Sequence, residues 1–303
     1  MKIEGNKGIP SKLKKNIRTN LSGWLLLLPG LFLFYYIIWR PIFIGITYSF
    51  FDITSAFTPI KFVGLQNYRY VLSDTQFFRT LKNTILYVFW SLIIGFPLPI
   101  LCAIMLNEMI GFKQYFKISY YLPQVMPTIA VSLLWLNIYA PDNAGLLNML
   151  LQKFNMGPIQ WLNNEKSVIP LLIVSSTWKG FGSTVLYYIA AIQSVNTELY
   201  ESTRIDGCGF LGRARYVIIP HMIPIILLML IMQIIGVFQT LDAPMVMTDG
   251  GPRGASMTLA LTAYKYAFVW HRPGEALAVN VVTFVMLIGL TFVYYGAEKK
   301  VSE

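Results

Sequence analysis

Charge is what this sequence has least of. Only 13% of its 303 residues are Asp, Glu, Lys or Arg, and 55% are hydrophobic, whereas soluble domains run near 25% charged. A soluble fold of this size would have too little charged surface to cover itself, so lipid is the fitting solvent. Cysteine is scarce as well. Cys102 lies inside an apolar run and Cys208 in a polar loop, which supplies neither a disulfide framework nor a thiolate metal site. Nothing here implies an oxidising compartment. His221 and His271 stand far apart without partner ligands and support neither a metal site nor a proton relay. No GxxxxGK[ST] phosphate-cradling loop is present, no internal repeat and no low-complexity tract. The net charge of +10 is scattered between apolar blocks and not clustered with stacking aromatics, which argues against nucleic acid as a partner.

Long apolar runs are what the sequence has instead. A membrane-spanning helix needs about 20 predominantly apolar residues. Six runs qualify: Leu21–Tyr48, Thr84–Leu106, Ser119–Tyr139, Val168–Val195, Val217–Met247 and Ala276–Tyr295. The fold class is therefore all-α, a polytopic membrane protein with about six transmembrane helices. The fourth and fifth runs are long, which predicts tilting, a break, or an extra turn outside the bilayer. Pro29, Pro97, Pro99, Pro127 and Pro224 fall inside the runs, where neighbouring helices can satisfy the freed carbonyls. The first run follows Lys12, Lys14, Lys15 and Arg18 like a signal peptide. Its apolar stretch is too long and no small-residue cleavage site follows, so it reads as a retained helix.

Lys and Arg concentrate in cytoplasmic loops. Placing the basic N-terminal tail inside also places inside the Lys113/Lys117 loop, the Arg204/Arg213/Arg215 loop and the Lys299/Lys300 tail. The opposite loops carry Lys and Arg at lower density, so both termini are expected in the cytoplasm. The organisation is then a basic tail (1–20), a six-helix domain (21–297) containing the loop 196–216, and a cytoplasmic tail (298–303).

Between the fourth and fifth runs stands Glu201-Ser-Thr-Arg-Ile-Asp206-Gly207, continuing to Tyr216-Val-Ile-Ile-Pro220. Asn196 is suited to cap a short helix beginning near Thr197. Glu198 and Glu201 then fall in its first turns, where carboxylates complement the helix dipole. Gly207 can take the left-handed conformation that stops it. A short helix laid across the end of a bundle is suited to docking another protein.

This stretch resembles the cytoplasmic signature loop of bacterial binding-protein-dependent ABC importer permeases. Glu201, Asp206, Gly207 and Pro220 match at the expected spacing, and Ser202 and Thr203 replace two alanines. Phe62-Val-Gly-Leu-Gln-Asn-Tyr68, Lys82-Asn-Thr84, Leu28-Pro29-Gly30 and Thr248-Asp-Gly-Gly-Pro252 resemble the carbohydrate branch, which includes maltose-permease-like and glycerol-phosphate-permease-like subunits. The resemblance covers nearly the whole chain from Leu21. It implies a coupling helix between helices four and five that docks into a cytoplasmic ATPase, with Glu201 and Asp206 as anchors and Gly207 as its bend. It also implies a sugar or oligosaccharide substrate, a second, different permease subunit, two ATPase subunits and an extracytoplasmic solute-binding protein. No cofactor is expected on this chain, because ATP is used by the partner subunits. The expected location is the bacterial cytoplasmic (inner) membrane.

By the same resemblance, substrate-binding positions fall on Trp178, Gly180 and Ser183 in the fourth run and on Gln233, Gly236, Val237 and Thr240 in the fifth. The last four share one helix face at i, i+3, i+4 and i+7. Trp178 can stack on a pyranose face or simply pack between helices, and Gln233 and Thr240 can bond sugar hydroxyls or neighbouring helices. Gly236 and Val237 replace an aromatic and an amide, so a fit to maltose does not follow. Lys179 beside Trp178 reads as snorkelling toward an interface, and Asp242 as lying at the outer end of the fifth helix. An ion-coupled secondary transporter would be expected to show repeats and midplane carboxylates. A membrane glycosyltransferase would need clustered acidic or metal-binding residues. Neither pattern is present, and the chain is not expected to be an enzyme. A permease of the same family for another solute, such as glycerol phosphate, stays open.

Overall fold

The computed structural model describes residues 11–302 except 55, 110, 197, 199–202 and 204–207. Ser11–Phe34, a π-helical turn Tyr35–Trp39 and Arg40–Tyr48 run on without a break as α1. A small antiparallel hairpin, β1 (Phe51–Ile53) and β2 (Pro59–Phe62), leads to α2 (Gln66–Ser73). Helix α3 (Thr75–Glu108) contains a second π-helical turn at Ser91–Gly95. Next come α4 (Lys113–Val125), α5 (Thr128–Ile138), α6 (Leu146–Gln152) and α7 (Val168–Gln193). The chain finishes with α8 (Phe210–Phe238), α9 (Asp242–Thr248), α10 (Leu259–Tyr264) and α11 (Pro273–Ser302).

Helices α1, α3, α8 and α11 each carry a stretch long and apolar enough to cross a bilayer. Two of the six expected spans differ from their sequence reading. The run Ser119–Tyr139 is not one rod, because α4 and α5 meet at a 99° bend. Its cause is local: Met126 precedes Pro127 and is held extended, with ψ 140°, since the proline ring disfavours helical backbone in the preceding residue. The run Val217–Met247 also divides, with α8 ending at Phe238 and α9 starting at Asp242. Helix α7 is unbroken at 26 residues, about 39 Å long. Its middle, Ser175-Ser-Thr-Trp-Lys-Gly180, is polar for a span; Ser175 is buried and Ser176 exposed.

Helix α7 is the centre of the bundle and touches α3, α4, α5 and α8. Val185 and Tyr188 on it are fully buried, with Ile104 and Leu106 of α3 and Met222 of α8 around them. Where α7 crosses α4, Gly182 lies so close to the Tyr120 carbonyl that a Cβ would overlap it. By contrast, the apolar stretch of α1 is 0% buried.

Polar side chains pin the loops to this frame. Asn67 Nδ2 donates to the carbonyls of Ser49 (2.8 Å) and Phe51 (2.9 Å), fixing the end of α1 to α2. Gly64, just ahead of it, has φ +57°, a left-handed backbone that glycine adopts without steric cost. Asn83 on α3 donates to Gly254 O (2.8 Å) and Met257 O (3.2 Å). Thr84 Oγ1 accepts from Leu259 N–H (3.2 Å), and Tyr87 donates to Ser256 O (3.1 Å). The segment Thr248–Thr258 is thus folded into the bundle, with Ser256 and Thr258 fully buried. Buried carbonyls left without such donors would each cost about 1–3 kcal/mol.

Candidate functional site: a polar cleft between three helices

A cleft of about 210 Å³ opens between α3, α7 and α8. Helix α8 contributes Gln233, Gly236 and Val237, and Thr240 follows two residues past its end. Helix α7 contributes Ser176, Thr177, Gly180, Phe181 and Thr184, and α3 contributes Ser91, Gly95 and Pro99. Five hydroxyls, the Gln233 amide and three glycines share the walls with Pro99, Ile173, Phe181, Met232 and Val237. Among the described residues no charged side chain lines this cleft, so it offers neutral hydrogen-bonding groups to what enters.

The structure brings together five of the seven positions expected at a substrate site: Gly180, Gln233, Gly236, Val237 and Thr240. The other two stand aside. Trp178 is half-buried and packs edge-on against Trp135 of α5, with ring centroids 6.0 Å apart. Ser183 bonds its own helix at Gly180 O (2.8 Å). The aromatic that does line the cleft is Phe181. The whole α3 wall was also missed by the sequence reading. A Cβ at Gly95 would lie 2.9 Å from Thr177 Oγ1 and 3.2 Å from Gln233 Nε2, so the missing side chain is what keeps the cleft open. The available signal was Gly95-Phe-Pro-Leu-Pro99, a glycine and two prolines inside an apolar run. The π-helical turn ends there, and such turns occur often at functional sites.

Beside this cleft lies a larger chamber of about 490 Å³, bounded by α4, α5, α7 and α9. It shares Ser176, Gly180 and Thr240 with the first cleft, so the two lie side by side. The 99° bend places Gln124 and Thr128 in its wall. Lys179 lines it too. Asp242 begins α9, just past the end of α8 as expected, and faces the same chamber.

At the other end of α7 lies the loop 196–216. Glu201, Asp206 and Gly207 fall outside the described residues, but their flanks are described. Asn196 Oδ1 accepts from Glu198 N–H (2.9 Å), the capping bond expected of a helix start. Glu198 and Thr203 are helical, and Cys208 N–H donates to Thr203 O (2.9 Å). Arg213 then donates to Cys208 O (2.9 Å) and pairs with Glu108 at the end of α3. That pair is largely sheltered, with side chains 13% and 15% exposed, and it ties the loop's return to a helix that walls the cleft. His221 Nε2 and Ser194 Oγ, 3.0 Å apart, join the end of α7 to α8.

Comparison with known proteins bears on both regions. The family described as "Binding-protein-dependent transport system inner membrane component" matches residues 95–302. The trehalose/maltose transport system permease protein MalF of Thermococcus litoralis is 30% identical, over 95% of this chain and 97% of its own. The arabinooligosaccharides transport system permease protein AraP of Bacillus subtilis is 29% identical over 77% of this chain and 75% of its own. Among solved structures, a chain of a bacterial alginate ABC transporter in complex with an alginate pentasaccharide-bound periplasmic protein superposes with TM-score 0.84. That match has 23% identity and covers 97% of this chain and 99% of that one.

Proposed function

Because the chain belongs to the family of binding-protein-dependent transport system inner membrane components, we propose that it is the permease subunit of an ATP-driven importer for a sugar or oligosaccharide. The observation that carries this reading is the uncharged cleft of hydroxyls, an amide and glycine backbone between α3, α7 and α8. A polyol needs many neutral donors and acceptors at short range, and this wall supplies them. The names of the relatives, which include arabinooligosaccharide, trehalose/maltose and lactose permeases, support the same substrate class.

In this reading the chain works beside a second, different permease subunit, two cytoplasmic ATPases and an extracytoplasmic solute-binding protein. It binds no cofactor and hydrolyses no ATP itself, because it has no phosphate-cradling loop. ATP binding and hydrolysis in the partners bias a two-state inward/outward equilibrium. The loop 196–216 receives that motion through Glu201, Asp206 and Gly207. The Arg213–Glu108 pair gives it a direct route into α3.

Copurification tests the coupling role. Wild-type chain should retain the ATPase in gentle detergent, and Glu201→Lys should retain several-fold less at matched membrane abundance. Reversing one charge on a surface loop changes folding stability little. Full retention by Glu201→Lys together with normal transport would remove the loop from the coupling path.

The same reading places both termini in the cytoplasm, on the density of Lys and Arg. A cysteine at Lys14 should resist a membrane-impermeant thiol reagent in intact cells, while a cysteine at Pro141 should react. The opposite pattern would invert the topology.

A further inference from the structure

The segment joining α5 to α7 carries an apolar face that the described residues leave uncovered. Leu146, Met149 and Leu150 stand at i, i+3 and i+4 on α6, one side of the helix, and all three are exposed. Phe154, Met156 and Ile159 continue the face in the turn that follows, with Phe154 76% exposed. This display is built and held. On the other side of α6, the fully buried Asn148 donates to the carbonyls of Ala140 (3.0 Å), Asp142 (3.1 Å) and Ile159 (3.1 Å). Its Oδ1 accepts from Ile159 N–H and Trp161 Nε1–H, both at 3.0 Å. One side chain thus ties the start of the segment to its end.

Depth says what meets the face. Leu147, Trp161 and Leu162 pack against the core cluster that contains Val168, Ile169 and Leu172 of the first turns of α7. Helix α7 has 26 residues, so Val168 stands about 19 Å from its centre. The apolar layer of a bilayer reaches about 15 Å from the midplane, and the headgroups end at about 20–22 Å. With α7 centred across the bilayer, α6 therefore lies where acyl chains give way to headgroups. A tilt of about 20° shifts it inward by only about 1 Å.

Chemistry separates lipid from protein at that depth. Membrane helices associate through small residues and through hydrogen bonds between helices. This face offers neither, only bulky side chains without a strong donor or acceptor, which suit acyl chains. Gln152, Lys153 and Asn155 are exposed beside it and supply a polar rim, where a lysine stem can lie along apolar surface while its ammonium reaches outward. A soluble partner, by contrast, approaches from beyond the headgroups.

We propose that 146–159 is an interfacial anchor whose partner is the lipid surface. Helix α6 lies in the leaflet at the Val168 end of α7, with its Leu146/Met149/Leu150 face and Phe154 among the upper acyl chains and Lys153 at the phosphates. The anchor fixes the ends of α5 and α7 on that side of the membrane, and both helices wall the chamber described above.

Spin labels test it on the transporter purified into lipid nanodiscs. In a chain carrying Cys102→Ser and Cys208→Ser, single labels are placed by Leu150→Cys and by Phe154→Cys. Phe292→Cys, exposed on the apolar part of α11, is the lipid reference, and Asn143→Cys, exposed in the polar turn before α6, is the water reference. Power saturation is read with oxygen, which concentrates in lipid, and with a nickel chelate, which stays in water. Labels at 150 and 154 should match position 292, with oxygen accessibility several-fold above nickel accessibility. Either site alone decides, so the loss of one variant to misfolding leaves the other. Nickel accessibility equal to that at 143 would put the face in water and overturn the proposal. Low accessibility to both reagents would put it under a partner subunit and overturn it equally.

Discussion

Replacing Gly182 by alanine should abolish most of the folded protein in the membrane. The residue sits where α7 crosses α4, and an added Cβ would overlap the backbone carbonyl of Tyr120. A flexible side chain could swing away from such a contact, but a helix carbonyl cannot. Either α4 moves off α7 or the crossing does not form, and α7 is the helix around which the bundle packs. Overpacking a core costs about 1–3 kcal/mol where side chains can adjust, so a backbone collision should cost at least the upper end. Native stability is on the order of 5–15 kcal/mol, and a loss of this size lowers abundance several-fold. Gly289→Ala on α11 is the control, because its Cβ would meet nothing within 4 Å. Fluorescence-detected size exclusion from membranes, with a thermal ramp, measures both. A Gly182→Ala chain with wild-type abundance and melting temperature would show that this crossing does not hold the bundle.

Gly95→Leu should separate transport from folding. Here the atoms met by a Cβ are Thr177 Oγ1 and Gln233 Nε2, both on side chains. They can yield, so the helix persists, but they yield into a cleft of only about 210 Å³. The leucine then occupies the space that the reading above gives to a sugar. Displacement costing about 1–3 kcal/mol lowers affinity about 5- to 150-fold. Uptake of radiolabelled substrate should fall by that factor while membrane abundance stays near wild type. Undiminished uptake would move the translocation path away from the α3 wall.

These two glycines also show where sequence is legible. An apolar run needs no context to be read as a span, so the membrane class and the positions of the runs followed from residue order. Which proline breaks a helix does not follow. Pro29 and Pro224 lie inside continuous helices, while Pro127 stands at a 99° bend. Each proline restricts the residue before it alike, yet only Met126 ahead of Pro127 is extended, so the proline in the sequence does not by itself tell a kept helix from a bend. Gln233, Gly236 and Val237 of α8 were readable because they lie on one helix. Gly95, Phe181 and the Lys179/Asp242 chamber were not, because their meaning depends on which helices become neighbours. The Asn83 and Thr248–Pro252 segments were noticed separately by resemblance. In the fold Asn83 bonds the Gly254 and Met257 carbonyls, just past Pro252, across some 170 residues of sequence.

The exposure of α1 has a thermodynamic consequence. Membrane folding has two stages, insertion of each helix and lateral association of those inserted. Helix α1 has what insertion requires, a stretch apolar enough to be stable in lipid alone, yet no residue in that stretch is buried against the rest of the chain. Its second stage is therefore not completed within this polypeptide. Within this polypeptide only the last turns of α1 find a partner, packing on α11 where Gly45 faces Leu277. A partner chain covering the rest of it would make the stability of this part of the molecule depend on that chain's concentration in the bilayer.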